Sequence, residues 1–154
     1  MGDRTRIRAA RADERELIAQ IHERTATVAY ASIFPDQPFP RAEALERWRA
    51  FSGEILVAEE GDVVIGFAAF DVCELCALYV LPERQGKGVG ARLLDATGSV
   101  TRLWVLKENK AARRFYESRG WCAEGTEQVS FGAMELLYRR GVCRRMMAPA
   151  EIAL

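Results

Sequence analysis

Apolar positions along the chain recur with two periods, and the switches between them mark out strands and helices. "TRIRAA" reads as a short first strand. In "ADERELIAQIHERTATVAY", Leu17, Ile18, Ile21 and Val28 fall at helical spacing, and acidic residues crowd the amino end, where the helix dipole favours them. "SIFPDQPFP" contains three prolines, which break any regular element, and "RAEALERWRA" resumes as a second helix. "EILVAEE", a Gly-Asp turn and "VVIGFAAF" together form a hairpin signal, followed by a third apolar run from Glu74 to Leu81. Beyond it, "ARLLDA" is helical, "TRLWVL" is a strand, and "NKAARRFYESRG" is a helix closed by Gly120. "WCAEG" and "AMELLYRR" read as two late strands.

The resulting order, β α α β β β α β α β β, begins with antiparallel hairpins and alternates strand with helix only in its second half. This pattern predicts an α/β (α+β) fold in a single domain over residues 1–154. Its mixed, mostly antiparallel sheet of about seven strands would be flanked by four helices.

Composition narrows the partner. Apolar residues make up 49% of the 154 and charged residues 29%, the balance of a chain that buries a core. Lys plus Arg equal Asp plus Glu at 22 each, so no global field recruits nucleic acid or an acidic membrane. The four cysteines, Cys73, Cys76, Cys122 and Cys143, are too scattered for a disulfide framework, which predicts free thiols and a cytoplasmic setting. "MGDRTRIRAA" lacks the apolar core of a signal peptide, and no run approaches the ~18 apolar residues of a membrane span. The expected partner is a small molecule or a peptide.

The stretch "RQGKGVG", Arg84 to Gly90, sits between an apolar strand and a helix, where closely spaced glycines let backbone amides close on a phosphate. A Walker A loop needs Ser or Thr after its lysine, and Lys87 is followed by Gly88. Gly86, Gly88 and Ala91 do fit a dinucleotide fingerprint, with Glu108 near the offset of the ribose-binding acid. Against that reading, "PERQ" separates strand from glycine, and the preceding hairpins leave a doubly wound fold no room.

Gln85 to Gly90 spells Q-x-x-G-x-G directly before a helix, and in this it resembles the pyrophosphate loop of the GNAT superfamily of acyl-CoA-dependent N-acetyltransferases. "ALYVLPERQGKGVGARLL" is similar to that family's strand, loop and helix, and "LWVLKENKAARRFYESRGW" to its next strand and helix. The resemblance implies acetyl-CoA as donor, with its diphosphate on Arg84, Gln85, Gly86, Lys87, Gly88, Val89, Gly90 and Ala91. Backbone groups of Leu78, Tyr79 and Val80 would hold the pantetheine like an added strand, the Val80 amide facing the thioester oxygen. It further implies a primary amine as acceptor, attacking directly in a ternary complex, and it allows a homodimer. A non-catalytic acyl-CoA-binding sensor or regulatory module is the alternative from another class. Compared with relatives, the helix after the glycines is short, because "TGSV" follows "ARLLDA" at once.

In the late helix, helical periodicity puts Asn109, Ala112 and Tyr116 on one face, a wall suited to the narrow pantetheine arm. Asn109 would also cap the helix. The resemblance gives Tyr116 the role of protonating the departing thiolate. A neutral amine is needed for attack, and Glu74, the one charge in its apolar run, is the candidate base; strand alternation puts it on a face with Cys76, Leu78 and Val80. The aromatic loop residues Tyr30, Phe34 and Phe39 are expected to line the acceptor pocket, with Asp36 available for a cation.

Other residues attract less. Cys73 and Cys76 form a lone C-x-x-C whose thiols point to opposite faces of a strand, so no metal site is expected. His22, the sole histidine, is expected to face solvent or core and not a substrate. Arg139, Arg140, Arg144 and Arg145 read as a solvated strand edge.

Overall fold

Each strand and helix expected from the periodicity is present, in the expected order. The computed structural model describes residues 4–98 and 100–141. They fall into two compact units, Met1–Val100 and Thr101–Leu154.

The first unit holds β1 (Thr5–Ala9), α1 (Arg15–Ala29), α2 (Arg41–Ala50), β2 (Glu54–Glu60), β3 (Val63–Phe70), β4 (Glu74–Val80) and α3 (Val89–Thr97). The four strands lie in sequence order and every pair is antiparallel. β2 and β3 close through a two-residue turn at Gly61 and Asp62, where Glu60 faces Val63 and Gly61 takes φ +62°. Seven of the eight residues of β3 are buried, so both faces of the sheet are covered there. Phe67 of β3 packs edge-on against Trp48 of α2, while α3 packs against β1 to β4.

A charged network ties the start of α1 to the sheet. The Arg8 guanidinium donates to both oxygens of Glu14 at 3.0 and 2.8 Å and to Glu59 at 3.0 Å, and the Arg11 backbone N–H donates to Glu14 at 2.7 Å. Arg8 beside it holds the Glu14 carboxyl down at about 2.

β4 carries the feature that matters most for the site. Ala77 pairs with Ala69, yet Leu75 pairs with Phe70, so Cys76 is an extra residue in the ladder, a β-bulge. The bulge shifts the alternation by one. Glu74 therefore lies on the face of Ala77 and Tyr79, and not on that of Leu78 and Val80 as strict alternation predicted.

The second unit holds β5 (Arg102–Leu106), α4 (Lys110–Glu117), β6 (Trp121–Ser130) and β7 (Ala133–Arg140), with strand order β5-β7-β6, all antiparallel. β6 is twice the length that "WCAEG" suggested, and its ladder to β7 is interrupted between Ala123 and Glu127, around Gly125 at φ +107°. β7 is the central strand here, so Arg139 and Arg140 do not lie on a sheet edge: Arg139 pairs with Glu124 at 2.8 Å and Arg140 stacks over Trp121. Arg144, Arg145 and Cys143 lie outside the described residues.

Candidate active site

In the first unit β4 runs through a single 3₁₀ turn, Pro82–Arg84, into the glycine loop. Gly86 takes φ +80° and Gly88 φ +85°, a left-handed conformation in which a side chain would be strained, and Gly88 is the N-cap of α3. The first intrahelical bond runs from the Arg92 N–H to the Gly88 carbonyl at 3.1 Å. The amides of Val89, Gly90 and Ala91 thus precede the helix's own acceptors, and the positive end of the dipole lies at the loop. A Cβ added at Gly86 or Gly88 would meet nothing within 4 Å, so the loop is open on that side. Such a loop suits a diphosphate.

The polar side chains around the glycines act chiefly as struts. The Gln85 side chain donates to the Val80 carbonyl at 2.9 Å, tying the loop to the end of β4. Arg84 pairs with Glu60 at 3.1 Å, and one Nη of Arg24 in α1 donates to both carboxylate oxygens of Glu83. Lys87 is exposed, as a residue offering charge to a phosphate should be. On β4, Leu78 and Tyr79 are half-buried and Val80 is buried; β3 fixes their register through Ala68, Phe67 and Gly66. Gly66 is required there, since a Cβ would stand 2.8 Å from the Tyr79 carbonyl oxygen.

The acceptor candidates of the first unit converge. Tyr30, the C-cap residue of α1, brings its hydroxyl 3.4 Å from that of Tyr79, and its ring meets Phe34 edge-on. Phe39 meets His22 edge-on with ring centroids 4.9 Å apart, and His22 stacks on Tyr79 at 4.8 Å and 23°. Asp36 is exposed. His22, expected in solvent or core, is a half-buried member of this aromatic cluster, packed on the buried Trp48. Burial, and secondarily the charge of Arg47, pulls its imidazole down to about 4, so it is neutral at pH 7. Sequence reasoning passed over it because its partners are distant in the chain, and no local signal marks them.

Glu74 is half-buried at the start of β4, on the same sheet face as Tyr79. Its backbone is locked in a turn with Asp71, whose carboxylate accepts the Glu74 N–H at 3.2 Å and whose own N–H donates to the Glu74 carbonyl at 3.1 Å. Burial first, then the carboxylates of Asp71 and Glu74, push the neighbouring Cys76 thiol up to about 11, which leaves it protonated and unreactive. Cys73, Cys76 and Cys122 are free thiols, and no group of three metal-ligating side chains occurs among the described residues.

In the second unit, Asn109 caps α4, its side chain accepting the Ala112 N–H at 3.2 Å. Asn109 and Ala112 are half-buried and Tyr116 is buried, with its ring edge-on to Phe115 and Trp121. On the rest of the helix Ala111 and Ser118 are exposed, while Phe115 is half-buried. α4 is pinned to β7 through Tyr138, whose hydroxyl accepts from Arg113 at 2.9 Å and donates to Glu117. That anchor, which fixes the pose of Tyr116, carried no sequence signal.

Comparison with known proteins agrees with this geometry. The model of the acetyltransferase (GNAT) domain matches residues 51–122, from the end of α2 to the start of β6. An uncharacterized N-acetyltransferase of Archaeoglobus fulgidus is 37% identical over a stretch covering 42% of this chain and 57% of that protein. The chain thus spans little more than half the length of the curated relatives it matches. Among solved structures, apo YjaB from Escherichia coli is 25% identical with a TM-score of 0.71, covering 88% of this chain and 96% of that one. The PaiA N-acetyltransferase from Thermoplasma acidophilum, solved in complex with coenzyme A, is 20% identical with a TM-score of 0.65, covering 90% and 99%. Among the described residues, the seven strands and four helices match the fold of these structures.

Proposed function

We propose that the chain is an acetyltransferase of the GNAT kind, a reading that the match over residues 51–122 and the shared fold support, and that it transfers an acetyl group from acetyl-CoA to a primary amine. The observation that carries this reading is the loop at Gly86 and Gly88, which turns β4 into the amino end of α3 with amides facing an open side. Coenzyme A in the Thermoplasma acidophilum relative supports the choice of ligand.

The residues present fit that ligand. The amides from Gly86 to Ala91 would bind its diphosphate, with Lys87 adding charge, while Arg84 and Gln85 hold the loop through Glu60 and Val80. Leu78 and Val80, whose backbone groups point away from β3, would bind the pantetheine, while the Tyr79 backbone between them is paired with Phe67. Acetyl-CoA supplies the reactive thioester. Glu74 takes the proton of the acceptor amine, which at a pKa of ~10 is otherwise protonated at neutral pH. The bulge at Cys76 supports this role, because it turns Glu74 toward the face carrying Tyr79 and the loop aromatics. The Val80 N–H would face the thioester oxygen and donate to it as negative charge develops. Tyr116 would supply the proton for the departing sulfur, the role the family resemblance implies, and Asn109 and Ala112 lie on the same helix. Tyr30, Phe34 and Phe39 receive the body of the acceptor. The free thiols support a cytoplasmic setting, and among the described residues no helix is long and apolar enough to cross a membrane.

The test is free-thiol release from acetyl-CoA across a panel of amines, repeated with Tyr116→Phe and Glu74→Gln. The proposal expects turnover on at least one amine and a fall in kcat in both variants, by about 10²-fold or more for general acid–base groups. Unchanged turnover in both would remove the catalytic assignment.

A further inference from the structure

We propose that His22 is a positioning residue for the acceptor amine, a neutral imidazole locked in one tautomer that clamps the acceptor loop to β4. The inference rests on the acetyltransferase reading and adds to it a residue that the loop motif and the strand pattern do not mark.

Three observations carry it. The Trp48 indole Nε1–H, which can only donate, lies 3.0 Å from His22 Nδ1. Nδ1 must therefore be the acceptor, and the proton of the neutral ring must sit on Nε2. Trp48 is 2% exposed and wedged between Phe51 and Phe67, so this donor is fixed. Second, the same ring touches both halves of the candidate acceptor site, stacked on Tyr79 of β4 and edge-on to Phe39 of the loop. Third, Tyr79 continues the chain of contacts to Tyr30 through the paired hydroxyls. One side chain thus joins α1, α2, β4 and the loop between the helices, and it lies on the sheet face to which the bulge turns Glu74.

A group with this role governs where the acceptor sits and leaves the donor alone. The backbone of Tyr79 is held by its pairing with Phe67 whatever the His22 ring does. Two substitutions separate the two halves of the clamp. His22→Asn keeps an oxygen to accept the indole N–H but loses the stack, whereas His22→Phe keeps a ring on Tyr79 but leaves Trp48 without its acceptor.

The experiment measures both Michaelis constants for the amine that the wild-type protein turns over fastest among spermidine, tyramine, lysine and an alanine-initiated peptide. An aromatic pair predicts a rise in acceptor KM of about two- to tenfold in His22→Asn, with acetyl-CoA KM within about twofold of wild type. In parallel, ¹⁵N spectra of the sole imidazole at pH 7 should show Nδ1 unprotonated and Nε2 carrying the proton. An unchanged acceptor KM in both variants, or a protonated Nδ1 in the spectrum, overturns this inference alone. Absence of turnover on every amine by the wild-type protein overturns the acetyltransferase reading and this inference with it.

Discussion

Gly90→Ala separates a phosphate cradle from a mere turn, because the two readings assign it opposite consequences. Gly90 is the second residue of α3 and, unlike Gly86 and Gly88, does not take a positive φ. Alanine is the better helix former by about 0.5–1 kcal/mol, so the ligand-free protein should become slightly more stable, by roughly 1–4 °C in Tm for a domain of this size. If the amide of Gly90 approaches a diphosphate, the new methyl holds the ligand away. Loss of one hydrogen bond to a charged group is worth about 1.5–3 kcal/mol, or roughly ten- to a hundredfold in Kd. Thermal unfolding with and without acetyl-CoA, together with titration calorimetry, reads both effects in the same samples. Gly88→Ala is the contrasting arm: at φ +85° the substitution strains the backbone by roughly 1–2 kcal/mol, so both stability and binding should fall. A Gly90→Ala protein that is stabilised and binds acetyl-CoA as tightly as wild type would refute the cradle.

Two further predictions concern stability. Glu14, held at about 2 against an ordinary 4.5, contributes stability that is fully present above pH 4.5 and is lost as pH falls through 2. The full shift corresponds to about 3 kcal/mol, and discounting for solvent around the exposed Arg11 leaves roughly 1–2 kcal/mol. Urea midpoints of Glu14→Gln should be lower at pH 7 and converge with wild type toward pH 2; parallel curves would count against the network. Phe131, 75% exposed at φ +51° in the β6–β7 turn, gains little by burial, so Phe131→Asn ahead of Gly132 should stabilise by about 0.5–1 kcal/mol. A lower Tm would show that the ring holds something the strain conceals.

The fold was legible because each element carries its own period. Leu17, Ile18 and Ile21 announce α1, and the Gly-Asp turn announces the β2–β3 hairpin. The glycine loop was legible for the same reason, since its chemistry lies in consecutive residues. What escaped depends on partners remote in sequence. The bulge at Cys76 exists only in the ladder with Ala69 and Phe70, so strict alternation set Glu74 on the wrong face. The role of His22 depends on Trp48, Phe39 and Tyr79, each on a different element. The second half of β6, "TEQVS", is polar and almost wholly exposed, and becomes a strand only by pairing with β7.

The central claim, that the loop from Gly86 to Ala91 receives the diphosphate of coenzyme A, is tested most directly by calorimetric titration of the protein with coenzyme A, pantetheine and NAD. Coenzyme A should bind, pantetheine, which lacks the diphosphate, should bind at least about tenfold more weakly, and NAD should not bind measurably. Binding of NAD without coenzyme A, or equal affinity for coenzyme A and pantetheine, would contradict it.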